Sequence, residues 1–207
     1  MMKKSVSMIL AVMILFVVSM AAAKTIEPEE TEIERLAGAT LHATVGEYDT
    51  DLRTFEVALY ADDRFDADDI AKLAAGDILL AGGWLYTVKE MTTAPDGEPM
   101  AVTEDGYEIV FIPADDDDLF AQSTDDDRRY MSVFAVLNLP AAAGIIYEDD
   151  SDPEVWETMV TEGLDEILKI KAEKEETSIG FDYYATEITL NEKLEIVKIH
   201  QYYDVAQ

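Results

Sequence analysis

Two runs of aspartate, Asp115–Asp118 and Asp125–Asp127, are the densest chemistry-bearing residues in the chain. Hard cations such as calcium need about six to eight oxygen ligands, and extracellular calcium sites work at about 10⁻⁴–10⁻³ M. If the intervening segment folds back, Asp115, Asp117, Asp118, Asp125 and Asp127 become candidate ligands of a weak calcium site that stabilises a surface protein. The spacing lacks the mid-loop glycine of an EF-hand. Exposed carboxylates about 4 Å apart in water repel by only about 1 kcal/mol, so no cation is required to tolerate them. The first reading of both runs is a solvated acidic loop.

Other reactive side chains are sparse. His42 falls on the polar side of an alternating segment, opposite Leu41 and Val45, and His200 stands beside Tyr202 near the C-terminus. Neither belongs to a His-Glu-x-x-His zinc helix, and no Gly-x-Ser-x-Gly elbow, P-loop or Gly-x-Gly-x-x-Gly is present. A carboxylate pair for glycoside cleavage is defined by separation in space. With 45 acidic residues, sequence cannot single out two. Trp84, Tyr86, Tyr107, Tyr183, Tyr184, Tyr202 and Tyr203 could line a sugar- or peptide-binding face, because aromatic rings combine apolar area with a polar edge. At strand positions the same residues serve sheet packing.

Charge narrows the partners. The 45 acidic residues face 15 basic ones, a formal net charge of −30. Such a surface repels phosphate backbones and anionic headgroups, which argues against nucleic acid and against anionic membranes. It also keeps a protein soluble. There is no cysteine, so disulfides, thiolate metal sites and cysteine nucleophiles are excluded.

The start of the chain sets its compartment. Lys3 and Lys4 precede an apolar run from Met8 to Met20, and Ala21-Ala22-Ala23 supplies small side chains before Lys24. This is the layout of a secretory signal peptide over residues 1–23. An uncleaved N-terminal anchor is the alternative, because residues 5–23 approach the roughly 20 needed to span. The expectation is a secreted or extracytoplasmic protein.

Beyond the leader, residues 24–38 read as an acidic linker. Residues 39–114 read as a β-rich half. Leu41, Ala43 and Val45 alternate with polar neighbours, as do Phe55, Val57 and Leu59, which predicts a hairpin. Asp66 is placed to cap a short helix, with Phe65 and Ile70 at hydrophobic-staple positions. Gly82-Gly83 predicts a second hairpin turn, and residues 107–112 a further strand. Residues 115–129 form the acidic loop between halves, and residues 130–207 an α+β half; the two halves could share one domain. Met131–Leu139 reads as a buried strand stopped by Pro140. Asp152 and Pro153 read as the start of a longer amphipathic helix, with Trp156, Met159, Val160, Leu164, Ile167 and Leu168 on one face. Gly163 weakens its middle. Residues 184–190 and 194–203 predict a C-terminal hairpin. The expected fold class is α+β, mainly antiparallel hairpins with one short and one longer amphipathic helix.

Arg64-Phe65-Asp66, Leu73, Gly76-Asp77, Gly82-Gly83 and Tyr86-Thr87-Val88, with an Ile- and Tyr-rich C-terminal hairpin ending in Gln207, resemble uncharacterised small exported proteins of anaerobic Gram-positive bacteria. The resemblance covers about a third of the chain and rests on turn and packing residues. It implies export and brings no activity, cofactor or site. The function expected is a non-enzymatic extracellular module that recognises a protein, peptide or glycan. A carboxylate-based extracellular hydrolase is the alternative, although the missing motifs lean away from catalysis.

Overall fold

A computed structural model describes residues 23–29, 36–114, 118–155, 157–177 and 180–203. The expected leader, Asp115, Asp117 and Trp156 lie outside the described residues. Of the described residues, 55% lie in strands and 10% in helices. The chain forms two compact units, one of residues 1–29 and 63–130, the other of residues 30–62 and 131–207.

The first unit is built on β1 (Thr25–Ile26), β4 (Arg64–Asp66), α1 (Ala67–Ile70), β5 (Ile78–Ala81), β6 (Trp84–Thr93), β7 (Pro99–Thr103), β8 (Glu108–Pro113) and β9 (Asp118–Ser123). Its sheet runs β1-β5-β6-β7-β8-β9-β4, with β1 and β5 parallel. Ile26, in the segment read as a linker, is buried in this core beside Phe65, Leu79, Phe111 and Ala121. Asp66 accepts the Asp69 amide at 2.9 Å, which caps α1. The Gly82-Gly83 turn needs glycine: φ is +57° and +76°, and a Cβ on Gly82 would meet the Tyr130 ring at 2.9 Å.

The second unit contains β2 (Thr40–Asp49), β3 (Thr54–Asp62), β10 (Met131–Asp150), β11 (Met159–Glu162), α2 (Leu164–Thr177), β12 (Thr186–Leu190) and β13 (Ile196–Tyr202). The strands close into a ring, β2-β3-β10-β13-β12 and back to β2. Every pair in the ring is antiparallel except β10–β13, which is parallel. With α2 between the third and fourth ring strands, this is the connectivity of the OB barrel. Alternation along each strand sends Ala43, Val45, Phe55, Val57, Leu59, Ile188 and Ile199 inward, all buried.

The expected α+β class with a longer amphipathic helix is therefore corrected. The protein is mostly β, with two mixed sheets and α2 as its one helix of seven or more described residues. Gly163 adopts φ +97°, and the helix begins only after it. Met159–Glu162, read as the first half of the helix, pairs with β10 instead. Asp152 accepts the Glu154 amide in a turn. The three- and four-residue spacing of apolar residues is shared by a short strand and a helix placed end to end.

Pro140 does not stop its strand either. It pairs with Thr54 at the end of β3, and at Ala141 the strand passes to β13. A missing amide hydrogen is tolerated where the ladder changes partner.

The larger part of the first unit, residues 63–130, is inserted between β3 and β10, whose ends Asp62 and Met131 are cross-strand neighbours. Asp63 N–H donates to Tyr130 O at 2.8 Å, so the insertion holds its own two ends side by side. Closing the barrel across it then adds little loop entropy. Replacing residues 63–130 by a two-residue Asn-Gly turn is expected to leave a folded barrel. Its unfolding free energy should change by no more than about 1–2 kcal/mol. Circular dichroism and urea denaturation of the shortened chain check this. An unfolded product would defeat it.

Candidate ligand-binding face

Because the inward residues fill the barrel, their neighbours form its outer face. Cross-strand register lines up Tyr60, His42, Glu187, His200 and Glu148 in one row across β3, β2, β12, β13 and β10. Both histidines of the chain stand in this row. His42 Nδ1 lies 3.0 Å from Tyr202 Oη, and its Nε2 lies 3.8 Å from Glu187. His200 Nε2 lies 2.9 Å from Asp150, and Lys198 pairs with Glu148 at 3.0 Å. Hydrogen bonds from Thr158 and His200 hold the Asp150 carboxyl below the usual carboxylate range. Every one of these groups is paired, and among the described residues no set of three or more His, Asp or Glu converges to hold a metal.

Beside the row stands a stack of three tyrosines. The segment after α2 is anchored by Val45 N–H donating to Phe181 O at 2.9 Å, and by the Phe181 ring stacked on Tyr147 at 5.3 Å. Asp182 then accepts Thr44 Oγ1 at 2.9 Å and its neighbour's amide at 2.8 Å. These contacts lay Tyr183 flat on Tyr60, with centroids 3.9 Å apart and planes 11° from parallel, and Tyr184 tilts onto Tyr183 at 4.1 Å. Burial pushes the Tyr183 hydroxyl well above the usual tyrosine range, and the adjacent Tyr184 adds to it. Tyr184 is 39% exposed. Val133 and Val136, opposite Tyr60 and Ala58 on β10, add exposed apolar area.

Next to Asp182 a shallow cleft of about 200 Å³ is lined by Thr44, Val45, Gly46, Glu175, Gly180, Phe181 and Asp182. Its two carboxylates are already committed: Glu175 to Lys171, and Asp182 to Thr44 and Tyr183. That arrangement does not resemble an acid–base pair waiting for a glycosidic bond.

A nucleophile-like pair does occur at the barrel end, where Ser151 Oγ lies 3.1 Å from Lys174 Nζ. Lys174 also bonds Asp149 at 2.8 Å, and Asp149 in turn accepts from the Ser151 hydroxyl at 2.5 Å. Burial opposes ionisation of Asp149, but hydrogen bonds from Lys174, Ser151 and Tyr147 overcome it and pull its pKa down to about 2. The Ser151 hydroxyl and the Lys174 amine are both committed to Asp149, which is not the arrangement of a nucleophile and its base. Asp149 and Lys174 tie α2 to the barrel.

The other expected site residues are dispersed. Asp118 is in β9, where it faces Asp66 across the ladder, and Asp125 and Asp127 are in the turn that follows. Trp84, Tyr86 and Tyr107 belong to the first unit; Trp84 is 72% exposed, and Tyr86 packs edge-on to Tyr107 and Tyr130. Tyr183, Tyr184 and Tyr202 are brought to the barrel face. Sequence reasoning missed Tyr60, Thr44 and Asp182. Tyr60 was within reach, because it follows the inward series Phe55, Val57 and Leu59 by one residue and so points out. Its stacking on Tyr183 was not. No family model, characterised protein or solved structure matches this chain.

Proposed function

We propose that the barrel is a non-enzymatic binding module, exported from the cytosol, that takes its ligand on the face carrying Tyr60, Tyr183 and Tyr184. The observation that carries this reading is the tyrosine stack. It stands on the outer side of a barrel whose core is already complete without it, and its end ring is open to solvent. A likeness in topology supports the place: OB barrels use the face of their second and third strands, here β3 and β10. This is fold-level analogy and says nothing of the ligand. The net charge of −30 argues against the nucleic acids that many such barrels hold.

The test is a screen of the purified protein against glycan and peptide arrays. Hits are repeated with Tyr184→Ala and, as a control on the other unit, Trp84→Ala. Loss of a well-packed aromatic contact should weaken binding by about tenfold or more, a free-energy change of about 1.4 kcal/mol. Binding that survives Tyr184→Ala and disappears with Trp84→Ala would place the site in the other unit and end this reading.

A further inference from the structure

β11 is an open edge of the second unit, and we infer that it takes an extended, basic segment of a partner protein as an added strand. This surface is separate from the tyrosine face and does not rest on it. Among the described residues, β10 is the one strand paired with β11. Gly163 N–H donates to Ile145 O at 3.0 Å, which sets the phase of that ladder. Alternation along an antiparallel pair then turns the main-chain groups of Met159 and Thr161 toward β10 and those of Val160 and Glu162 away from it. The amides and carbonyls of Val160 and Glu162 therefore face outward, in the pattern that an incoming strand pairs with.

The side chains favour the same use. Met159 and Val160 are each 58% exposed, one on either face of the strand, and Val155 is 48% exposed just ahead of them. Sheet edges are ordinarily blunted by lysine, by proline or by a covering element. Met159–Glu162 carries neither residue, and Met159, Val160 and Glu162 are all exposed. An added strand would set its alternate apolar side chains beside Met159 and Val160.

Charge selects the occupant. Glu157 and Glu162 bracket the apolar pair, with Glu154 before them and Asp165 after, and all four are exposed. A second copy of the chain would bring these acids against its own, on top of a net charge of −30 on each molecule. A segment with lysine or arginine at alternate positions meets them with opposite charge and keeps its other positions for apolar contact.

The probe is a capped octapeptide of alternating lysine and valine, titrated into the purified full chain. The expected result is saturable binding, with the Val160 and Glu162 amides gaining protection from hydrogen exchange. The same peptide N-methylated at its central amides keeps its charge but loses its strand donors, and should bind about tenfold more weakly or worse. A glutamate–valine octapeptide should not bind. Val160→Pro removes one outward donor and spares the β10 ladder, so it should weaken binding by a similar factor. The N-methylated peptide keeps the test decisive if that variant disturbs the fold. Equal binding of the two lysine peptides, or no binding of either, would overturn the inference. Self-association of the chain that Val160→Pro abolishes would give the edge to a second copy and overturn the basic partner. Loss of peptide binding with Tyr184→Ala would move the peptide to the tyrosine face and overturn the edge alone.

Discussion

Raising the pH past about 10 is expected to unfold the barrel within roughly two to three pH units, because folding pushes the ionisation of two of its tyrosines well above the ordinary range. Tyr147 is 1% exposed, and its hydroxyl contacts Asp149 Oδ2 at 2.9 Å and Gln201 Oε1 at 2.7 Å. Burial, and then the adjacent Asp149 carboxylate, push its ionisation far above the ordinary range. Tyr183 is raised by burial in the stack and by its neighbours. An unfolded chain releases both protons near pH 10, whereas the folded chain keeps them. The unfolded state then binds fewer protons, so stability is intact below about pH 10 and falls as pH rises beyond it. Each tyrosine contributes a loss of about 1.4 kcal/mol per pH unit, against a total stability of about 5–15 kcal/mol. The measurement follows tyrosinate absorbance and circular dichroism together. Exposed tyrosines should titrate first, and a late group should appear only as the ellipticity collapses. Tyr147→Phe keeps the ring on Phe181 and removes one titrating hydroxyl, so it should make the alkaline transition shallower. If all ten tyrosines titrate near pH 10 with the ellipticity intact, burial of these hydroxyls is refuted.

The parts of this fold written locally in the sequence were those whose partners lie nearby. Alternation over Leu41–Val45 and Phe55–Leu59 marks a real hairpin, and Asp66 and Gly82-Gly83 punctuate real element ends. The readings that failed depended on distant partners. β10 continues through Pro140 only because β3 and β13 are present to share it. Met159 and Val160 are strand residues because β10 pairs with them, and nothing within the segment itself outweighs a helical spacing. The insertion of one unit within the other is equally invisible, since hydrophobic pattern records burial and not which strand a residue faces. The binding face shares this limit. Tyr183 and Tyr184 could be suspected from their type, but the stack exists because Asp182 reaches Thr44 and Tyr60 stands beside it. The aspartate runs carried the strongest local signal. Among them, Asp118 is an ordinary strand residue of β9.

Acid should weaken the barrel through one part-buried carboxylate. Asp149 has a pKa of about 2 where an ordinary aspartate has 3.8. A depressed value means that the charged form is favoured by folding. The contribution is fully present above about pH 4 and is lost as pH falls through about 2. The size follows from the shift, about 2 kcal/mol, and the side chain is only 11% exposed, so solvent screening removes little of it. The contrast within the same protein is Asp69. Its carboxyl is also lowered, by Lys24, but that pair is 44% and 47% exposed, and surface pairs of this kind add almost nothing. Lowering the pH also discharges the acidic surface and relieves its self-repulsion. A single acid titration therefore mixes two opposing effects, and the difference between two chains separates them. Asp149→Asn should be about 2 kcal/mol less stable than the parent in urea at pH 7, and the two curves should converge as pH falls below about 2, where the parent carboxyl takes up its proton. Asp69→Asn should track the parent throughout. Equal stability of Asp149→Asn and parent at neutral pH would mean that the Lys174 pair only offsets its own desolvation, as many buried pairs do, and the tie between α2 and the barrel would then rest on Ile167 and its apolar neighbours alone.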